Sequence, residues 1–78
     1  MILKDCYFAD IEEVKLQKEW TVKVRYRLQL TRCKIHILNN QRVEVELLKP
    51  EAMIAKGQTA VFYDGDRVIG GGFIEDSF

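Results

Sequence analysis

The clearest pattern in the sequence is Thr21-Val22-Lys23-Val24-Arg25-Tyr26-Arg27-Leu28-Gln29-Leu30. Apolar and polar side chains alternate along it, and successive side chains of a β-strand point to opposite faces. A strand therefore places every apolar residue of the stretch on one face, whereas a helix would spread them around its whole circumference. The pattern predicts a strand with one buried face.

Shorter segments of the same kind follow this strand. Residues Lys34–Ile37 and Arg42–Leu47 alternate on either side of Asn39-Asn40. Asparagine tolerates a positive φ, so this pair predicts a hairpin turn. Pro50 lacks the amide hydrogen that a sheet needs and ends the run, and Glu51–Ala55 could form one helical turn.

The end of the chain predicts a second hairpin. Asp64-Gly65 is a strong two-residue turn signal, and it lies between the strand Thr59–Tyr63 and the segment Arg67–Ile69. The glycines of Gly70–Gly72 then indicate a sharp bend or a close approach of two backbones, and a phosphate-binding loop is the weaker alternative.

The beginning of the chain predicts one more strand, over Ile2–Ile11. A charged connector, Glu12–Glu19, joins it to Trp20; it has some helical character, but we expect a loop or hairpin. About six short strands with turns at this spacing are typical of a small antiparallel barrel, whose closure removes exposed edges. We therefore expect an all-β, closed or nearly closed six-stranded barrel that forms a single domain over residues 1–78.

Length and composition narrow the function. The chain has 78 residues, of which 47% are hydrophobic, and its 12 Lys and Arg balance its 12 Asp and Glu. This length leaves little room for a substrate cleft with supporting residues, which argues against most enzymes. The neutral total argues against the whole chain as a nonspecific polyanion binder, so any nucleic-acid contact requires local clustering of charge.

The sequence shows no evident membrane span or signal peptide, and its two cysteines do not indicate a disulfide. No apolar run reaches the roughly 18 residues of a membrane span, and Met1–Asp5 lacks the order of a signal peptide. Cys6 and Cys33 are most simply two reduced thiols of a cytoplasmic protein, with a disulfide as the less favoured alternative. We expect no membrane association.

Candidate catalytic groups are few. Cys33 and His36 are three residues apart, so a strand points them to opposite faces, which is poor geometry for a nucleophile and its base. Asp64 and Asp66 flank a turn glycine and offer too few oxygen ligands for a magnesium or calcium site. We expect no catalytic, cofactor-binding or metal-binding residues in this chain.

One stretch clusters positive charge. Between Trp20 and His36 there is no acidic residue. Alternate residues of a strand are about 6.5 to 7 Å apart, which roughly matches the spacing of phosphates along a nucleic-acid strand. The alternative is the solvated face of an edge strand, where basic residues discourage aggregation. The five positive residues of this window are Lys23, Arg25, Arg27, Arg32 and Lys34.

At these residues the sequence resembles the C-terminal domain of bacterial tRNA-specific 2-thiouridylases. The resemblance covers nearly the whole chain, and its second half carries several motif elements in order. The matching segments are Val22–Arg27, Cys33, Pro50–Ala52, Gly57-Gln58, Ala60–Asp66 and Ile69–Ile74.

The resemblance implies a translation-factor-like β-barrel that is one part of a larger enzyme. Members of the family use ATP to activate the wobble uridine of certain tRNAs and then install sulfur from a donor. The ATP-binding loop and the catalytic cysteines belong to preceding domains, so this chain is expected to lack activity of its own, and Cys33 is expected to serve packing.

The resemblance also implies tRNA contacts by Arg25, Tyr26 and Gln58, near the anticodon. An arginine guanidinium can bind a phosphate through two hydrogen bonds, and a glutamine amide can bind a base or a sugar. Lys23 and Arg27 extend the basic face on both sides of Arg25. Strict alternation places Tyr26 on the buried face, so it could equally be a core aromatic.

A second function remains open, that of a structural or protein-interaction barrel. In that case an apolar surface around Phe73, Ile74 and Phe78 docks on the missing domains or on another copy of the chain. A self-contained enzyme is disfavoured because no activated nucleophile or acid–base pair is evident.

Overall fold

A computed structural model describes residues 1–16, 18–24, 30–39, 41–48 and 58–76. The strands pair antiparallel and close into a barrel in the order β1-β4-β3-β2-β5-β6, which confirms the predicted six-stranded closed barrel. The elements in chain order are β1 (Ile2–Phe8), α1 (Ile11–Val14), β2 (Trp20–Val24), β3 (Thr31–Ile37), β4 (Val43–Leu47), β5 (Thr59–Asp64) and β6 (Arg67–Asp76).

Alternation along β2 works as predicted wherever the structure describes it. Trp20, Val22 and Val24 are buried, and Thr21 and Lys23 lie half-buried on the outer face. The remaining part of the alternating stretch, residues 25–29, lies outside the described residues. β3 repeats the pattern with buried side chains at its first, third and fifth positions. Both strands thus present one face to the core, as period-two patterning requires.

Both predicted hairpins are confirmed. β3 pairs with β4, and the Oδ1 of Asn39 accepts hydrogen bonds from the backbone amides of Gln41 and Arg42, at 3.0 and 3.1 Å. Asn40 lies outside the described residues. The second hairpin joins β5 to β6, and Gly65 at its turn has a φ of 62°, which glycine adopts without steric cost.

The connector between β1 and β2 differs from the prediction. β1 ends at Phe8 rather than at Ile11, and the connector contains a short helix instead of only a loop or hairpin. The reason is a helix cap, since the carboxylate of Asp10 accepts a hydrogen bond from the amide of Glu12 at 3.1 Å. Val14 of this helix is buried in the barrel core. The helical turn expected at residues 51–55 lies outside the described residues.

Gly70 allows an aromatic pair to form inside the barrel. It lies on β6 directly between Phe8 of β1 and Phe62 of β5, and the two rings stack above it with centroids 5.8 Å apart. A Cβ at Gly70 would lie 2.3 Å from the carbonyl oxygen of Tyr7. The close backbone approach that the glycine run predicts is therefore present at this position.

β-bulges interrupt the pairing of β6 with both neighbouring strands. On the β5 side, Phe62 pairs with Gly70 and Tyr63 with Val68, which leaves Ile69 as an extra residue that points into the core. On the β1 side, Lys4 pairs with Phe73 and the next described pair is Tyr7 with Gly71. The extra residue there turns Cys6 inward and leaves Tyr7 74% exposed on the outer face.

Candidate nucleic-acid interface

Lys23 projects from the outer face of β2, as predicted. Its partner on β5 is Val61, an uncharged residue. In the described part of the chain, no carboxylate forms an ion pair with Lys23. Among the described residues, Asp66 lines the same surface pocket as Lys23 but forms no ion pair with it.

Two further cations lie on the outer face of β3. Arg32 and Lys34 are exposed, and Arg32 forms an ion pair with Glu19. Lys34 is paired in register with Glu46, but the carboxylate of Glu46 bonds to Nε2 of His36 at 3.2 Å. The cluster that the sequence indicates is thus partly neutralised: Arg32 already has a carboxylate partner, and Lys34 forms no ion pair with any described residue.

Gln58 immediately precedes β5 and is half-buried, and its carbonyl oxygen accepts a hydrogen bond from the amide of Ile74 at 2.8 Å. Val24 pairs with Ala60, two residues from Gln58, so Gln58 lies at the end of the barrel where β2 ends. Lys23 and Gln58 are about 10 Å apart along the strand direction. The other three predicted contacts, Arg25, Tyr26 and Arg27, lie outside the described residues.

Both thiols, Cys6 and Cys33, are free and buried. Burial raises the pKa of Cys33 to about 12 and that of Cys6 to about 11. Cys33 points into the barrel while the ring of His36 bonds to Glu46 outside it. The prediction that Cys33 and His36 point to opposite faces is confirmed, and Cys33 packs in the core.

The carboxylate of Asp64 is held by cations beside the β5–β6 turn. It accepts hydrogen bonds from Lys18 at 3.2 Å and from Arg67 at 3.1 Å, and these contacts lower its pKa. Arg67 also bonds to Glu13, which follows β1 in the chain. The charged residues of this turn therefore tie the connector to the second hairpin.

The residues that the structure describes contain no cluster of His, Cys, Asp and Glu side chains that could hold a metal ion. They also contain no helix long and apolar enough to cross a membrane.

An apolar groove lies on the outside of β1, β6 and β5, and it differs from the apolar surface that the sequence predicts. It has a volume of about 380 Å³, and exposed Tyr7 and Phe73 are part of its wall. The apolar surface predicted around Phe73, Ile74 and Phe78 is correct for Phe73, which is 44% exposed, and wrong for Ile74, which is 1% exposed. Ile74 follows Phe73 in the strand and so points to the opposite face, into the core. Phe78 lies outside the described residues.

No sequence signal identifies Tyr7 as a groove residue. Its outward direction depends on the bulge at Asp5, whose φ is 50°. Without that extra residue, the alternation from Lys4 would place Tyr7 in the core.

Comparison with known proteins shows which family the chain resembles. Residues 1–74 match the family model described as the aminomethyltransferase beta-barrel domain. The chain is 38% identical over its full length to the tRNA-specific 2-thiouridylase MnmA of Yersinia enterocolitica, covering 21% of that protein. It is 40% identical over 96% of its length to the enzyme of the same name from Salmonella typhimurium, covering 20%.

A third relative matches over a shorter range. The MnmA of Syntrophotalea carbinolica is 50% identical over 67% of the chain. The chain spans about a fifth of the length of the curated relatives it matches. These matches confirm the resemblance to 2-thiouridylases, and the match of residues 1–74 shows that the chain belongs to the family of aminomethyltransferase beta-barrel domains.

Proposed function

We propose that this barrel is the C-terminal, tRNA-binding accessory domain of a tRNA-specific 2-thiouridylase. The observation that carries the proposal is the acid-free window Trp20–His36, in a barrel whose relatives bear that enzyme's name. In this proposal the domain contacts the anticodon region of the tRNA in the cytoplasm. Thiolation of the wobble uridine, with its ATP and sulfur donor, takes place on other domains of the parent enzyme.

The roles of the proposed contacts follow from their chemistry. Lys23 contributes an unpaired ammonium on the outer face, and Arg25 and Arg27 follow it at intervals of two residues. These three side chains bind successive phosphates, while the amide of Gln58 hydrogen-bonds a base or a ribose. Tyr26 adds an aromatic ring or hydroxyl contact between them.

The first test is the salt dependence of tRNA binding, measured by fluorescence anisotropy with labelled tRNA. Contacts to three to five phosphates predict that affinity falls roughly 40- to 500-fold between 50 and 200 mM salt. Lys23→Gln and Arg25→Gln should each weaken binding at low salt and reduce the slope of log affinity against log salt by about one.

Lys15→Gln is the matched control for this test. It removes the same charge from an exposed lysine just after α1, where Lys15 pairs with Glu12, and should leave the slope unchanged. Absence of detectable binding by the wild-type chain at low salt contradicts the proposal, as does an equal loss in the Lys15 and Lys23 variants.

A second candidate is a barrel that docks on other domains of the parent or on a second copy of itself. The exposed apolar groove that includes Phe73 favours it, since such a surface on a small domain is a common interaction site. Sedimentation velocity distinguishes the two: a concentration-dependent dimer without any tRNA affinity favours docking.

A further inference from the structure

The outer face of the barrel carries a continuous row of neighbours that crosses four strands. Tyr7 of β1 pairs with Gly71 of β6, Gly71 with Val61 of β5, and Val61 with Lys23 of β2. Adjacent strands are about 4.8 Å apart, so the row measures roughly 14 Å between its first and last backbone positions. It connects the exposed aromatic ring of Tyr7 to the unpaired ammonium of Lys23.

Two backbone features that cost stability shape this groove. Asp5 has a φ of 50°, and the bulge at this residue directs Tyr7 outward. Gly71 leaves the middle of the row without a side chain, and a Cβ there would lie 2.6 Å from the carbonyl oxygen of Ala60. Bulges and strained residues are concentrated next to binding sites because they re-aim side chains.

A second aromatic ring and a second cation extend the groove along the strands. Phe73 follows Gly71 on the same face of β6, and its partner on β1 is Lys4. Lys4 is exposed and forms no ion pair with any described residue. Phe73 on β6 therefore lies between two cations, Lys4 on β1 and Lys23 on β2, and Tyr7 lies on β1 beside Lys4.

We propose that this groove binds an unpaired nucleotide of RNA. Its base stacks against Tyr7 and Phe73 above Gly71, and the phosphates on either side of it contact Lys4 and Lys23. The proposal rests on the tRNA-binding function proposed above. It adds a second RNA-binding surface next to the basic strand and assigns an unpaired nucleotide to it.

The two lysines beside the groove, in register with Phe73 and Val61, favour RNA over a protein segment, while the described wall itself carries only the charge of Asp5. Aromatic rings stack on any base, and unpaired lysines at both sides attract the phosphates of a strand that crosses the groove. Asp5 is the only acidic residue among the described residues of the groove wall. Its carboxylate accepts hydrogen bonds from a base amino group or a ribose 2′-hydroxyl, groups that RNA provides.

The test uses the 78-residue chain and a labelled single-stranded oligouridylate of about eight nucleotides, in addition to tRNA. Tyr7→Ala and Phe73→Ala should each lower the affinity about 5- to 50-fold, the loss expected for one stacked base. Tyr7→Phe keeps the ring and should bind as the wild type does. Leu38→Ala removes an apolar side chain of the β3–β4 turn that is about as exposed as Phe73, 49% against 44%, and should have no effect.

The salt series separates stacking from phosphate contact. Stacking releases no counterions, so Tyr7→Ala should lower the affinity by the same factor at every salt concentration. Lys23→Gln should instead reduce the slope. Because Tyr7 is exposed, its truncation leaves the core intact, and equal thermal melting of the variant verifies this.

Three results would overturn the groove proposal. If Tyr7→Ala and Phe73→Ala bind RNA normally while Lys23→Gln does not, the groove is not an RNA site, yet the tRNA-binding function stands. If the wild-type chain binds neither RNA at low salt, both proposals fail. If the chain dimerises and the same two variants abolish the dimer without changing RNA affinity, the groove is a protein interface.

Discussion

Replacing Gly70 by alanine is expected to lower the free energy of unfolding by about 3 kcal/mol or more, a large share of the 5–15 kcal/mol typical of small domains. The new Cβ would lie 2.3 Å from the carbonyl oxygen of Tyr7 and 2.4 Å from the ring of Phe8. Relief requires that β1 move away from β6, which also separates the stacked rings of Phe8 and Phe62. Urea denaturation followed by Trp20 fluorescence measures the loss.

Gly65→Ala is the matched control for this substitution. Its Cβ would meet nothing within 4 Å, but the residue has a φ of 62°, so only backbone strain of about 1 kcal/mol is expected. The two variants thus separate a steric clash from an unfavourable backbone conformation. Equal destabilisation by both would show that the contact at Gly70 is relieved without cost.

The buried thiols are expected to be almost unreactive in the folded barrel. A pKa of about 12 for Cys33 and about 11 for Cys6, against 9.0 for an ordinary thiol, leaves about 1000-fold and 100-fold less thiolate at pH 8. Only the thiolate attacks iodoacetamide, so alkylation of the folded chain should be slower by at least these factors than in urea. Cys6→Ala and Cys33→Ala isolate each thiol, and the variant that retains Cys33 should react more slowly.

The same pKa shifts fix the direction of an alkaline effect. Because both thiols have higher pKa values in the folded state, the unfolded chain loses these protons first. Their contribution to stability is complete below about pH 9 and declines as the pH rises through the pKa values of the folded state, toward 11 and 12.

Equal alkylation rates in buffer and in urea would contradict the burial of both thiols. A stability curve above pH 9 that the two alanine variants leave unchanged would contradict the linkage.

Period-two patterning was sufficient to predict most of the barrel. The alternation at Val22, Lys23 and Val24 identifies β2 because one buried face requires it. The two hairpins followed from Asn39, whose side chain accepts hydrogen bonds from amides of the turn, and from Gly65, whose positive φ suits a tight turn. These features are local, so a sequence shows them directly.

The features that could not be predicted depend on contacts between distant segments. The bulge at Asp5 reverses the side of the sheet to which Tyr7 points, and it is defined only by the pairing of β1 with β6. The sequence groups Ile74 with Phe73 in one apolar surface, but its pairing with Leu3 of β1 places it in the core. Among the candidate tRNA contacts, the outward position of Lys23 followed from alternation. The ion pair between Glu19 and Arg32, which partly neutralises the basic cluster, depends on a contact that only the folded chain creates.

The order of strands around the barrel has a consequence for how the chain folds. β1 is made first, yet its partners are β4 and β6, and Ile2 pairs with both Glu44 and Asp76. During synthesis, β1 therefore lacks its second neighbour until β6 has emerged. Closure between segments so far apart in sequence makes folding slow, and the edges of β1 and β5 stay open to aggregation until β6 pairs with both.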